Sequence, residues 1–142
     1  MRTSKGDLSA GMSAYQQFGV RTEIESATPH KLIQMLINGA LAKMRVARTC
    51  TERGDIVGKC ENIDWAIAII GGLRGSLNLE DGGVIAANLD GLYEYMCRQL
   101  ALANARSDVN LIDEVIGLLG EIKAGWDGIE SEATADTVAA AN

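Results

Sequence analysis

The chain contains few side chains that could perform acid–base, nucleophilic or metal chemistry. It has one histidine, His30, which directly follows Thr28-Pro29, a pair that predicts the start of a helix. No cysteine or carboxylate stands at a spacing from His30 that is typical of a metal site or a catalytic pair. We therefore interpret His30 as an exposed residue of a first helical turn. The sequence predicts no catalytic residue, no metal ligands and no enzymatic activity.

Two short segments resemble a phosphate loop and a calcium loop in composition, but neither has the residue pattern that such a loop requires. Residues 71–76, GGLRGS, are rich in glycine, but they lack the Gly-Lys-Ser/Thr element of a phosphate loop and fall inside a helical period. Residues 80–83, EDGG, lack the alternating acidic ligands of a calcium loop. We interpret the first segment as helix and the second as a turn between helices, so no cofactor is expected.

Cysteine content and charge limit the compartment and the partners. The three cysteines, Cys50, Cys60 and Cys97, are odd in number and form no Cys-x-x-Cys pair, which favours a reducing compartment. There is no apolar run long enough for a membrane span and no secretion signal, so we expect a cytosolic protein. The formal net charge of −6 opposes binding to nucleic acid or to an anionic membrane.

Four amphipathic helices must position whatever functional residues exist. Each predicted helix has apolar residues at helical spacing and is bounded by capping or turn residues. The predicted helices cover approximately residues 29–53, 56–77, 84–104 and 109–129. Short loops between long helices require antiparallel neighbours. The predicted fold class is therefore all-α, an antiparallel four-helix bundle within residues 14–129. Residues 1–13 are predicted to be a disordered arm and residues 130–142 an acidic disordered tail.

The apolar stripes of the second and third helices are wider than a bundle core requires. In the second helix the predicted core residues are Ile56, Ile63, Ile70 and Leu77. The predicted stripe of the third helix is widened sideways by Ala86, Tyr93 and Cys97, and it consists of Ile85, Leu89, Leu92, Met96, Leu100 and Ala103. A wide stripe is compatible with a larger core or with a groove that receives a partner helix. The pattern alone leaves both open.

A block in the centre of the chain has a specific order and spacing of residues: Ser76-Leu77-Asn78, Gly82-Gly83, Ile85-Ala86, Asn88-Leu89, Leu92-Tyr93 and Tyr95-Met96. It is flanked by Ala14-Tyr15-Gln16-Gln17, by the helix start at residues 27–32, and by the last helix with Trp126. The central block resembles the signature of the FliS family of flagellar secretion chaperones, and the flanking segments are also similar to that family. The resemblance covers about residues 13–129, and the central block is its most specific part.

This resemblance implies a function and a set of partners. Family members are four-helix bundles that bind the C-terminal segment of flagellin, which is disordered when free and becomes largely helical when bound. They prevent premature polymerisation and present flagellin to the flagellar export gate, without a cofactor. The chain departs from the family pattern in its longer N-terminal arm, its acidic tail, and the glycines Gly71, Gly72 and Gly75.

The resemblance and the wide stripes together predict the residues that bind the partner. We expect Leu89 and Leu92 to belong to the core, and Asn88 and Tyr93 to face the partner. Tyr15 is expected to act from outside the bundle, either by covering apolar surface or by touching the partner. The predicted binding residues are Tyr15, Ile70, Leu77, Asn78, Ile85, Asn88, Leu89, Leu92, Tyr93 and Met96. The alternative is a self-assembly or adaptor module in which the same face joins free chains, for example as a weak homodimer.

Overall fold

A computed structural model describes residues 28–128, which form four α-helices and no strand. The helices are α1 (Pro29–Arg53), α2 (Ile56–Gly75), α3 (Gly83–Arg106) and α4 (Val109–Gly128). The predicted all-α bundle is therefore confirmed. The predictions for the arm, for the tail and for Tyr15 lie outside the described residues. Within residues 28–128, no helix combines the length and apolar character that a membrane span requires.

The helix boundaries follow from the predicted capping residues. The side chains of Thr28, Asp55 and Asp108 each accept a hydrogen bond from a backbone N–H in the first turn of the helix that follows. These bonds satisfy donors that have no partner inside the helix. Gly54 ends α1 in the left-handed region at φ 73°, where a residue with a Cβ would be strained.

The four helices form a closed ring of antiparallel neighbours. Helix α1 packs on α2 and α4, and α3 packs on α2 and α4 from the opposite side. Contacts near both ends of the α2–α3 pair show the antiparallel direction. Lys59 Nζ donates to the carbonyl oxygen of Asn104 at 2.8 Å, and Arg74 Nε donates to Asp90 Oδ1 at 2.6 Å.

Aliphatic side chains from all four helices fill the core. One lysine is buried as well. Lys59 is only 4% exposed, and its ammonium group also donates to Ser107 Oγ at 2.7 Å. Its position at the carbonyl end of α3 lets the positive charge compensate the helix dipole. The largest fully buried side chains are Leu36, Ile37, Met44, Ile63, Ile69, Ile70, Leu73, Met96, Leu100, Ile112, Val115 and Leu119.

The buried stripe of α3 differs from the predicted one in its first half. Ile85 and Leu92 are 74% and 37% exposed, so the prediction that Leu92 belongs to the core is wrong. Tyr93, expected to face the partner, is 4% exposed and belongs to the core cluster. The predicted stripe and the observed stripe both have helical spacing, and apolar residues also flank the observed stripe on each side. Periodicity therefore could not distinguish the two. The stripe consists of Ala86, Leu89, Tyr93, Met96, Leu100 and Ala103.

The first residue of the predicted α2 seam is also misplaced. Ile63 and Ile70 are fully buried, as expected, but Ile56 is 57% exposed. Ile56 is the first residue of α2 and lies outside the buried core, whereas Lys59, one turn later, is buried. Helical spacing alone does not predict a buried lysine at position 59.

Two glycines with opposite surroundings provide a matched stability test. A Cβ added at Gly71 would meet no atom within 4 Å, so Gly71→Ala should raise the free energy of unfolding by about 0.5–1 kcal/mol through helix propensity alone. A Cβ added at Gly82 would clash with Ala86 and lie 2.6 Å from the Asn78 carbonyl oxygen. Gly82→Ala should therefore lower the free energy of unfolding by about 1–3 kcal/mol. Urea unfolding of both variants measures the two changes. Destabilisation by Gly71→Ala would show that Gly71 has a packing role that its open surroundings do not suggest.

An apolar cleft as the candidate binding site

An apolar cleft of about 440 Å³ opens at one end of the bundle. It lies where the first turns of α1 and the first half of α3 meet the last turns of α2 and α4. Apolar side chains from all four helices line it, and its polar side chains come from the α2–α3 connection. The lining residues are Pro29, Ile33, Ile37, Leu73, Ser76, Leu77, Asn78, Leu89, Tyr93, Ile122 and Trp126.

One wall of the cleft is held in place by a reciprocal contact between α1 and α4. The His30 and Trp126 rings stack with centroids 4.5 Å apart and planes 7° apart. His30 Nε2 donates to the Trp126 carbonyl oxygen, and Trp126 Nε1 donates to the His30 carbonyl oxygen, both at 3.0 Å. The prediction of an exposed His30 is therefore wrong. Its ring is half-buried because it satisfies a carbonyl at the end of α4 and supports the indole that lines the cleft.

A second polar contact fixes the same two helix ends. Gln34 Nε2 donates to Asp127 Oδ1 at 2.6 Å, and Lys123 forms an ion pair with the other carboxylate oxygen. The Gln34 hydrogen bond, followed by the contacts with Lys123, lowers the pKa of Asp127 below its ordinary value. The carboxylate therefore stays ionised to a lower pH than an ordinary aspartate. The outer edge of this wall is polar, while its inner surface is apolar.

The α2–α3 connection presents its polar residues at the cleft in a fixed conformation. Asn78 Oδ1 accepts the Asp81 backbone N–H at 3.1 Å, and Asn78 Nδ2 donates to Asp81 Oδ2 at 3.0 Å. Ser76 Oγ donates to the Leu73 carbonyl oxygen at 2.7 Å. These polar groups already have hydrogen-bond partners within the protein. They therefore define the shape of the cleft rim and are not free to bond to a ligand.

The cleft continues onto an exposed apolar face of α3. Ile85 and Leu92 stand four residues before and three residues after Leu89, so the three side chains lie on neighbouring positions of one helix surface. Ile85 and Leu92 are exposed, and Leu89 is half-buried and lines the cleft. Exposed aliphatic side chains beside an apolar cleft are typical of a surface that a partner covers.

The structure separates the predicted binding residues into three groups. Ile70 and Met96 are fully buried in the core, so they are out of reach of a partner. Ile85, Asn88 and Leu92 are exposed on α3. Tyr15 is outside the described residues. The four predicted residues that line the cleft are Leu77, Asn78, Leu89 and Tyr93.

Sequence reasoning did not predict the walls that α1 and α4 contribute. The apolar residues of these helices have helical spacing, which we interpreted as core alone, and periodicity does not show where a core is open at one end. Trp126 was the one available signal, because a large amphipathic side chain in the last turn of a bundle seldom becomes fully buried. The lining residues missed for this reason are Pro29, Ile33, Ile37, Ile122 and Trp126.

The arrangement is suited to burying apolar side chains. No group of three or more His, Cys, Asp or Glu residues within residues 28–128 is placed to hold a metal ion. A segment with regularly spaced apolar residues could insert them between Leu77, Leu89 and Trp126 and continue over Ile85. An amphipathic helix has that spacing.

Comparison with known proteins is consistent with this description. A family model described as flagellar protein FliS matches residues 11–133. The chain is 49% identical to flagellar secretion chaperone FliSB of Pseudomonas aeruginosa, with 83% of this chain and 94% of that protein covered. It is 45% identical to flagellar secretion chaperone FliS of Salmonella typhimurium, covering 88% and 93%, and 38% identical to that of Vibrio cholerae, covering 88% and 92%.

Proposed function

Because the chain belongs to the FliS family of flagellar secretion chaperones, we propose that it binds the C-terminal segment of flagellin in the bacterial cytosol. Binding prevents premature polymerisation of flagellin, and the complex is delivered to the flagellar export gate. The activity is non-covalent and needs neither catalysis nor a cofactor. The observation that carries this proposal is the apolar cleft, which continues onto the exposed face of Ile85, Leu89 and Leu92.

The shape of this surface favours a partner that folds as it binds. The cleft is confined to one end of the bundle, while the apolar face follows the first half of α3 beyond it. A compact globular partner would have to match both a concave and a convex surface. A flexible segment could place one apolar face in the cleft and wrap the next turns around α3. Coupled folding of this kind buries on the order of 1,000–3,000 Å² and carries an entropic cost.

Titration calorimetry with a peptide of the flagellin C-terminal segment tests the proposal. We expect one peptide per chain and a large negative heat-capacity change, because apolar surface is removed from water. The affinity should change little between low and moderate salt, since screening weakens charge pairs and leaves apolar burial largely intact. A heat-capacity change near zero, or a collapse of affinity in moderate salt, would contradict binding in this cleft.

Self-assembly is the alternative use of the same face, because exposed Ile85 and Leu92 could also pack against a second copy. Light scattering on the free chain and on its mixture with flagellin separates the two functions. A heterodimer that replaces any homodimer supports the chaperone function. A homodimer that ignores flagellin supports the self-assembly module.

Tyr15 offers a test of the segment that precedes α1. Its amphipathic ring is suited to a partly hydrated interface, so we predict that Tyr15→Ala weakens peptide binding by several-fold and lowers the melting temperature only slightly. Calorimetry and thermal unfolding of the same preparation compare the two effects. The opposite ranking would indicate that Tyr15 packs on the bundle as a structural residue.

A further inference from the structure

Tyr93 carries a buried hydroxyl for which the described chain supplies no partner. The residue is 4% exposed, and its ring forms part of the cleft lining. Within residues 28–128 the phenol takes part in no hydrogen bond, ion pair or ring contact. The neighbouring Tyr95 is different, because its hydroxyl donates to Glu114 Oε2 at 2.5 Å.

A hydroxyl in this position is costly to the free protein. Burying a hydroxyl without a hydrogen bond costs on the order of 1–3 kcal/mol, and phenylalanine would fill the same space without that penalty. Burial raises the pKa of Tyr93 to about 12, so the phenol stays protonated, and able to donate, even at an alkaline pH at which an exposed tyrosine ionises. In the free protein only water that enters the cleft can accept this hydrogen bond, so a bound segment that displaces the water must supply an acceptor in its place.

We infer that Tyr93 is a specificity-determining residue of the cleft, whose hydroxyl donates a hydrogen bond to an oxygen atom of the bound segment. This inference rests on the proposed function, in which that segment is the C-terminal part of flagellin. The apolar lining of the cleft favours aliphatic side chains of the bound segment. Tyr93 adds the requirement that this segment place one polar atom within hydrogen-bonding distance of its hydroxyl.

The surroundings of Tyr93 limit the chemistry of that oxygen. Leu73, Leu77 and Leu89 share the lining with Tyr93, so an acceptor that carried a full negative charge would be desolvated at high cost. A neutral oxygen avoids this cost. Carbonyl groups inside a helix are already bonded, so the acceptor is a side-chain amide or hydroxyl oxygen, or a free carbonyl in the last turn of the bound helix.

The test compares Tyr93→Phe with Tyr95→Phe as a matched control. Tyr93→Phe should leave the melting temperature of the free protein unchanged or raise it, because it removes an unsatisfied group. It should weaken binding of the flagellin C-terminal peptide by about three- to tenfold. Tyr95→Phe, which loses a hydrogen bond to Glu114 on the surface, should lower the melting temperature slightly and leave the affinity unchanged.

A spectroscopic measurement reports on the hydrogen bond itself. In protein labelled with ¹³C at tyrosine Cζ, the resonance that Tyr93→Phe removes should shift when the peptide binds, since Cζ responds to the bonding of the phenol oxygen. Equal affinities of wild type and Tyr93→Phe would overturn the inference while leaving the proposed function intact. So would a lower melting temperature of Tyr93→Phe, because the acceptor would then belong to the free protein. Failure of the wild-type protein to bind the peptide would overturn the proposed function, and with it the assigned acceptor.

Discussion

Replacement of Ile70 by alanine should lower the free energy of unfolding by about 2–5 kcal/mol. Ile70 is fully buried in the centre of α2 and belongs to the core cluster shared by all four helices. Truncation removes three carbon atoms from a packed interior and leaves a cavity that a helical bundle closes only in part. Urea unfolding followed by circular dichroism measures the change.

Ile56→Ala is the matched control for this substitution. Both isoleucines are in α2, and the sequence pattern placed both in the same core seam. Because Ile56 is 57% exposed, its truncation should change the free energy of unfolding by no more than about 0.5 kcal/mol. Similar losses for the two variants would mean that the end of α2 near Ile56 is packed more tightly than its exposure indicates.

The sequence was sufficient to predict the bundle because each local signal agreed with the others. The Thr28-Pro29 start, the Gly54 stop and the Asp55 cap define the α1–α2 hairpin without information from elsewhere in the chain. The connections between the amphipathic helices are short, so consecutive helices must pack antiparallel. Predictions of this kind depend on neighbours within a few residues, and these were correct.

The rotation of a helix about its axis depends instead on its partners. In α3, moving the stripe from Ile85 and Leu92 to Ala86 and Tyr93 is a turn of one residue, and both choices present apolar side chains to the core. Tertiary packing decides between them, because Tyr93 and Met96 belong to the core cluster that all four helices share, whereas Ile85 and Leu92 remain exposed. Two partners that the sequence could not pair, His30 and Trp126, likewise become neighbours only through the α1–α4 contact.

Combined replacement of Leu77 and Leu89 by alanine should weaken binding of the flagellin C-terminal peptide by at least tenfold. Leu77 lies in the α2–α3 connection and Leu89 in α3, and both side chains line the cleft. Both are half-buried in the free protein, so a partner that fills the cleft would remove their remaining apolar surface from water. A loss of about 1 kcal/mol for each truncated side chain, within the range for partial burial of leucine, corresponds to roughly 30-fold in affinity.

The matched control is the double variant Ile56→Ala, Val57→Ala, which removes exposed aliphatic side chains from the same molecule. These residues begin α2, whose last turn and the residues that follow form part of the cleft. The 20-residue length of α2 places them about 30 Å from it. The control should bind the peptide as tightly as the wild type. Because Leu77 and Leu89 also support the fold, calorimetry is performed well below the melting temperature of each variant. If the Leu77→Ala, Leu89→Ala variant kept its affinity and the control bound more weakly, the binding surface would lie at the opposite end of the bundle.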